Sequence, residues 1–345
     1  MKLVIQIPCL DEEETLAETI RALPRQVDGI DEIAVIVIDD GSTDRTAQIA
    51  EEEGAQVIRF PNHQGLARAF VAGLEHSLQL GADVIVNTDA DNQYRGDDIE
   101  ALVAPIIRGE AEMVIGDRDT ARLRHFSPGK RVLQRLGSWA VRQLSGTRVP
   151  DATSGFRALS RTAALKMNVL SDFTYTLETI IQAGKKQLAI AHVPVAANPT
   201  QRPSRLFSGP SHYIRRSVTT LIRIYALYEP FKVFTLLGSV FILLAAGIGG
   251  RFLYDYATTG GSGHVQSLIL AGALSVIGFL TIMSGLLADL IGRNRQLSEE
   301  VLLRVRRLEL GASATQAKGG EPSTGEGPYE REDARRRRRA GGIAQ

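Results

Sequence analysis

The chain has 345 residues, a formal charge of +1 and a single cysteine. That length allows more than one structural unit, and the near-neutral charge argues against nucleic acid as the main partner. With Cys9 alone, an intrachain disulfide and a cysteine-based metal site are excluded.

The opening "MKLVIQIPCLDEEE" meets acids too soon for a signal peptide and reads as a first β-strand. Residues 1–210 are therefore expected to stay on the side of the membrane where they are made. The runs "LVIQIP", "EIAVIVID", "AQVIRF", "ADVIVNTD", "EMVIGD" and "LAIAHVPV" are short, β-branched and nearly all apolar. Strands of that kind are covered on both faces, as in a parallel sheet. Between them "LARAFVAGLEHSLQL" and "DDIEALVAPIIRG" carry helical periodicity. Helix starts are expected at Asp11, with Glu14 three residues on, and at Ser42/Thr43. The expected fold over 1–210 is α/β with a mostly parallel sheet, in which ligands bind beyond the carboxyl ends of the strands. Asp39, Asp40, Asp89, Asp91 and Asp117 all fall at such ends.

Residues 211–230 begin with "SHYIRRSVTTLIRIYALY", an amphipathic pattern expected to lie at the headgroup level. Two apolar runs follow within 231–292, one ending before Arg251 and one carrying only Asp289 near its end. Each offers about 20 residues free of central charge, enough to cross a hydrocarbon core of ~30 Å. Arg215, Arg216, Arg223 and Lys232 precede the first run, and Arg293, Arg295, Arg304, Arg306 and Arg307 follow the second. The connecting "YDYATTGGSGHVQ" has no Lys or Arg. The positive-inside rule then puts both ends of the hairpin in the cytoplasm. Residues 293–345 read as a charged helix and a disordered tail with "RRRRR" at 335–339.

Asp89 and Asp91 end an apolar strand, and like charges crowded there are expensive unless a cation joins them. Two apart in an extended segment, they would share one face, a pattern suited to a hard divalent cation; Gln93 has the same parity. A second D-x-D, Asp117-Arg118-Asp119, lacks the helix-starting acids that follow the first. At "VIVIDDGSTDRT" a turn and a cap need only one of the carboxylates, leaving Asp39 or Asp40 for a ligand.

The ordered motifs "IPCLDEEETL", "VIDDGSTDRT", "TDADNQ", "GDR" and "DATSGFRALS" resemble those of family 2 glycosyltransferases of GT-A fold. With the two apolar runs, the chain looks like the polyprenyl-phosphate group, which includes dolichyl-phosphate mannose synthases and bacterial enzymes using undecaprenyl phosphate. The likeness covers roughly residues 1–292. It implies that Pro8, Leu10 and Glu12 line the nucleotide pocket and that Asp40 reads the base or ribose. The family often has an aromatic residue and Asn where this chain has Leu10 and Asp11. It implies further that Asp89, Ala90 and Asp91 meet the donor diphosphate through Mg2+ or Mn2+, with Gln93 as a third metal ligand. Arg118 and Arg131 would receive the acceptor phosphate, and Arg135, where the family commonly has Ser, would make that clamp more basic. Asp151, Thr153 and Ser154 would sit beside the reacting centre. Arg202 and Arg205 resemble a loop over the diphosphate, at shorter spacing.

The reading is thus a membrane-anchored, inverting glycosyltransferase that takes a nucleotide-sugar donor and polyprenyl phosphate, undecaprenyl or dolichyl, as acceptor. Its expected partners are those substrates, the bilayer of the cytoplasmic membrane and, as an open option, further copies of itself. A processive polysaccharide synthase would carry a Q-x-x-R-W signature, which "QRLGSW" does not match. A non-catalytic scaffold would tolerate a degraded acid motif, and "DADNQ" is intact.

Overall fold

The computed structural model describes residues 1–118, 142, 145–147, 149–169, 175–196, 198, 228–260 and 265–319, the last stretch beyond Gly311 and residue 259 by backbone alone. Its strands are β1 (Lys2–Cys9), β2 (Glu32–Asp39), β3 (Gln56–Arg59), β4 (Val84–Asn87), β5 (Met113–Asp117), β6 (Arg157–Ser160) and β7 (Ile190–Pro194). Among the described residues they form one sheet in the order β3-β2-β1-β4-β6-β5-β7. β6 runs antiparallel to β4 and β5, and every other pairing is parallel.

The six apolar runs of the sequence are the six parallel strands. β6 is an addition that hydropathy could not reveal, because "RALS" is four residues long and begins and ends on polar side chains. Its direction matters for the site. Arg157 opens β6 opposite Asn87 of β4 and Ile115 of β5, so the loop before it reaches the carboxyl edge where β4 and β5 end.

Alternation along β1 sends Leu3, Ile5 and Ile7 to one face and Val4 and Gln6 to the other. The first face is covered by α1 (Leu16–Arg21) and α4 (Asp98–Ile107), whose Leu16, Ile20, Ile99, Leu102 and Val103 join one apolar core with β1, β4 and β5. α2 (Thr46–Glu52) adds Ala50 to that core. On the other face lies α3 (Leu66–Gln79), where Gly73 leaves room for the Gln6 amide: a Cβ there would meet Gln6 Oε1 at 2.6 Å. α5 (Arg161–Lys166) and α6 (Thr176–Lys185) complete the helices of the sheet-bearing part among the described residues.

Both expected helix starts differ from those observed. Asp11 does not cap α1, whose N-cap is Thr15; it sits at φ 52° and accepts the Thr43 N–H across the neighbouring loop at 2.8 Å. α2 begins only at Thr46, and Ser42 accepts the Asp11 N–H at 2.9 Å. Short polar side chains can satisfy backbone donors of either their own segment or an adjacent one, and here the adjacent one wins.

Two long helices follow, α7 (Pro230–Thr259) and α8 (Val265–Gly319). Their apolar stretches have mean hydropathy 2.2 and 2.1, yet only 11% and 17% of those stretches are buried, whereas the core helix of a soluble protein is mostly buried. They pack closely through glycine: a Cβ on Gly238 would lie 2.7 Å from Gly278 O, and one on Gly278 would lie 2.9 Å from Gly238 O. Small residues at helix crossings are the means of association when lipid removes the hydrophobic drive between helices. The chain divides into the units Met1–Arg304 and Val305–Gln345. The proposed amphipathic helix, all but its last residues, and the arginine run of the tail lie outside the described residues.

Gly96 shows how tightly the acid-bearing loop after β4 is fitted. A Cβ at this position would sit 1.9 Å from Ala22 O, at the end of α1. Gly96→Ala is expected to destabilise the protein by about 1–3 kcal/mol through backbone displacement. A thermal melt should show a midpoint lowered by several degrees; an unchanged midpoint would mean that this contact is slack.

Candidate active site

β4 stops at Asn87, so Asp89 and Asp91 stand beyond it rather than within it. Ala90 and Asp91 form a turn, and Asn92 has φ 52°, so extended parity does not set their directions. The turn itself does, and three contacts fix it. Thr19 Oγ1 of α1 donates to Ala90 O at 3.0 Å, Asn198 Nδ2 donates to Asn92 O at 2.9 Å, and Gln93 N donates to Asp91 Oδ1 at 3.1 Å.

Asp89 lies against Gly155. A Cβ on Gly155 would come within 2.8 and 2.9 Å of the two Asp89 oxygens, so only glycine permits this approach. Among the described residues no donor is hydrogen-bonded to the Asp89 carboxylate. Burial raises its pKa to about 7, the Asp91 charge adds to the rise, and Arg118 and Arg157 oppose it. Two oxygen-donor side chains in mutual repulsion fit a hard divalent cation. Among the described residues no set of three or more His, Cys, Asp or Glu side chains converges. Two carboxylates would be part of a coordination shell at most, which is compatible with Mg2+ or Mn2+, cations that take their remaining ligands from phosphate oxygens and water.

Arg118 follows β5 and is held rigidly. Its Nε and Nη2 donate to the two oxygens of Asp151 at 2.8 and 3.3 Å, and Nη2 also donates to Thr153 Oγ1 at 3.2 Å. Asp151 is 1% exposed, so this fork is fixed from below. Burial works against the charge on Arg118, but Tyr94, Asp151 and Asp89 outweigh it and raise its pKa above the ordinary value. Its guanidinium carbon lies 5.8 Å from the Tyr94 ring centre. Tyr94 itself, pushed up to about 12 by burial, stays neutral and accepts the Gly155 N–H at 3.2 Å.

The sequence reading missed the layer beneath. Arg157 is 0% exposed. Its guanidinium donates to Thr176 O at 3.1 Å, to Thr179 Oγ1 and to Ser154 O, and lies 5.3 Å from the Tyr175 ring centre. These neighbours are neutral, its Nε has no partner among the described residues, and burial lowers its pKa. Beside it, Asn87 Nδ2 donates to Gly155 O at 3.0 Å and to Tyr175 Oη at 2.8 Å, while Gln6 Nε2 donates to Asn87 Oδ1 at 2.9 Å. Tyr175 stacks on Phe70 of α3 with ring centres 3.9 Å apart. A buried polar network therefore runs from β1 to the glycine against which Asp89 rests. An arginine inside the run "GFRALS" was the one available signal, since a charged residue between apolar neighbours needs a reason.

At the edge formed by β1 and β2, both aspartates are engaged, contrary to the expectation that one is left over. Asp39 Oδ1 accepts the Ser42 N–H at 2.8 Å, and Asp39 Oδ2 pairs with Arg59 at 3.1 Å. Asp40 accepts the Gln64 and Gly65 N–H groups at 2.7 and 2.9 Å and pairs with His63 at 2.8 Å. The loop after β1 is laced to the same edge, with the Glu12 N–H donating to Thr46 Oγ1 at 2.8 Å, and Pro8, the next-to-last residue of β1, lies beside Ile38. Leu10 is half-buried between them. Ser154 is buried with its carbonyl on Arg157. Arg131, Arg135, Arg202 and Arg205 lie outside the described residues.

Comparison with known proteins agrees with this architecture. The family model described as "Glycosyl transferase family 2" matches residues 4–167. The UDP-N-acetylglucosamine–dolichyl-phosphate N-acetylglucosaminyltransferase of Methanococcus voltae is 32% identical over 214 residues, 55% of this chain and 82% of that one. The undecaprenyl-phosphate mannosyltransferase of Micrococcus luteus is 30% identical over 165 residues, 46% of this chain and 66% of that one. Glycosyltransferase AglJ of Haloferax volcanii is 29% identical over 317 residues, 88% of this chain and 97% of that one. A solved glucosyl-3-phosphoglycerate synthase of Mycobacterium tuberculosis, in complex with Mn2+, UDP-glucose and phosphoglyceric acid, shares the fold. It superposes with a TM-score of 0.52 at 24% identity, over 64% of this chain and 79% of that one. The chain belongs to glycosyl transferase family 2. It is a glycosyltransferase of GT-A fold, and its relatives include the polyprenyl-phosphate group that its motifs resemble.

The raised pKa of Asp89 has a signed consequence. In metal-free protein the folded state keeps this proton from pH ~4 to about 7 while an unfolded chain has lost it. Folding stability therefore falls as pH rises through that window, and a cation must expel the proton to bind. Mn2+ affinity, followed by electron paramagnetic resonance, should weaken up to about tenfold per unit as pH drops below 7. Asp89→Asn should remove both the pH dependence of the melt in chelator and the Mn2+ signal. A pH-independent affinity between pH 6 and 8 would refute the assignment of this carboxylate.

Proposed function

We propose that the protein transfers a sugar from a nucleotide-sugar donor to polyprenyl phosphate, inverting the anomeric carbon, at the cytoplasmic face of a membrane crossed by α7 and α8. The observation that carries this reading is the neighbourhood of opposites at one sheet edge. Asp89 and Asp91, which have no ion pair among the described residues, stand near a guanidinium locked onto Asp151.

The chemistry asks for little else. A phosphate monoester with second pKa ~6 is largely dianionic at neutral pH, so the incoming oxygen needs no general base. Asp89 and Asp91, with Gln93 as a further candidate, would hold Mg2+ or Mn2+, which when bound neutralises charge on the leaving diphosphate. Arg118 would orient the acceptor phosphate through Nη1, the guanidinium nitrogen that makes none of the bonds to Asp151 and Thr153, by charge-assisted donation. Asp151 and Thr153 leave it no freedom to turn away. Arg131 and Arg135 would complete that clamp, and Arg202 and Arg205 would cover the diphosphate. Pro8, Leu10, Glu12 and Asp40 border the space assigned to the nucleotide, and Ser154 that assigned to the acceptor phosphate. A direct displacement with donor and acceptor phosphates on opposite sides of the sugar inverts configuration.

Three measurements test the reading. A screen of radiolabelled nucleotide sugars with undecaprenyl and dolichyl phosphate should yield a chloroform-soluble product, and its NMR should show a β-linked sugar from an α-linked donor. A product of retained configuration would overturn the direct displacement. Arg118→Ala should raise KM for lipid phosphate by about 10- to 100-fold, the weight of a charge-assisted pair. An effect confined to the nucleotide-sugar KM would reverse the assignment. For topology, cysteines placed at Ser262 and Ser323 in a Cys9→Ser background should be labelled from opposite sides of sealed vesicles. Labelling from one side would break the two-span arrangement.

A further inference from the structure

α6 has two ends with different duties. Thr176 and Thr179 in its first turn hold Arg157, whereas Gln182 and Lys185 near its end, with Lys186 just beyond, line a cavity of about 860 Å3. The opposite wall comes from Tyr228, Glu229 and Pro230 at the start of α7 and from residues 288–303 of α8. This cavity is not the catalytic space. Lys166, on its rim, is 3.7 Å from Glu112, which precedes β5 at the amino edge of the sheet, and the ten residues of α6, about 15 Å of helix, intervene.

The charges that line it are unequally satisfied. Glu229 is paired with Lys185, Asp289 with Arg293 at 3.2 Å, and Glu300 with Arg304 at 2.7 Å. Glu299 takes both Arg295 and Lys186, each at 3.0 Å. Two cations thus share one carboxylate, with Lys186 also donating to Lys166 O at 2.6 Å, and Arg295, packed 5.6 Å from the Tyr228 ring centre, has a buried Nη2 with no acceptor among the described residues. Beside these cations Ala288, Ile291, Gly292 and Leu303 present an apolar wall where the uncharged run of α8 ends. A ligand that satisfies this lining must bring acceptor oxygens with negative charge and an apolar body attached to them.

We propose that this cavity binds the phosphodiester headgroup of an anionic membrane phospholipid, bridging Lys186 of the catalytic unit and Arg295 of α8. Such a lipid would tie the sheet to the membrane hairpin at the edge away from the chemistry. The proposal rests on the membrane reading of α7 and α8, because a phosphate on a lipid arrives at that depth and a free one has no use for the apolar wall.

The test uses the full chain in vesicles of equimolar phosphatidylcholine and phosphatidylglycerol, followed by native mass spectrometry of the lipids retained. Wild type should keep phosphatidylglycerol in preference to phosphatidylcholine. Arg295→Gln should reduce that retention about fivefold, the weight of one basic side chain near an anionic surface. Glu299→Gln, which releases Arg295 and Lys186 from their shared carboxylate, should increase it, and Arg307→Gln, outside the lining, should leave it unchanged. Variants that move in opposite directions separate binding from misfolding. Equal retention of the two lipids, or equal losses in Arg295→Gln and Arg307→Gln, would overturn the proposal. So would stabilisation of detergent-purified protein by inorganic phosphate that Arg295→Gln abolishes, since the site would then take the free ion. A chain washed from the vesicles by alkaline carbonate would refute the membrane reading, and this site with it; a retained chain without lipid preference would refute this site alone.

Discussion

The constraint on which the site depends is the placing of one carboxylate, Asp89, against a backbone with no side chain between. Gly155 concedes that space, and the carboxylate is left partly desolvated next to a second acid. Charge in such a position is tolerable only if positive charge is near. The protein supplies some of it through Arg118 and Arg157, which oppose the rise in the Asp89 pKa without cancelling it. The carboxylate pair is therefore left with unbalanced negative charge, and the proposed function assigns that balance to a divalent cation.

Holding Gly155 in place takes an antiparallel strand. In a purely parallel sheet every segment that reaches the carboxyl edge leaves it again through a helix. β6 instead starts there, so its preceding loop, from Asp151 to Phe156, lies across the ends of β4 and β5. Asp151 secures Arg118 from this loop, and the Gly155 carbonyl accepts from Asn87 and Tyr175 while its N–H donates to Tyr94. Arg157 then fastens the loop to α6 through Ser154 O and Thr176 O. An arginine buried among neutral acceptors is costly to fold, and strain of that kind is retained where function needs fixed charge.

The helical hairpin obeys a different physics. Its two helices meet through glycine backbones while leucine, isoleucine and phenylalanine face outward. In water that arrangement would be inside out. In lipid it is the ordinary one, because association there comes from close packing and not from removing apolar surface from water. Ion pairs between the end of α6 and the ends of this hairpin, Lys185 with Glu229 and Lys186 with Glu299, join the two apolar helices to the sheet at one seam.

Much of this was legible in the amino acids alone, for a reason. Apolar runs of β-branched residues specify buried parallel strands by local pattern, so six strands, the acid-bearing edge and the two apolar helices could be read directly, and the ordered motifs pointed to the family. What the sequence could not decide were relations between residues far apart in the chain. Nothing local says that Asp11 binds the loop at Thr43 rather than capping its own helix, or that Asp39 and Asp40 are both taken up by their surroundings. Four residues of mixed polarity carry no strand signal, so β6 waited for the partners on either side of it. Arg157 is charged in sequence and buried in space, and only the meeting of β6, α6 and the glycine beneath Asp89 explains why. Local pattern fixes which face of an element is apolar; which polar group finds which partner is settled when the elements pack, because a buried hydrogen bond needs both halves in place at once.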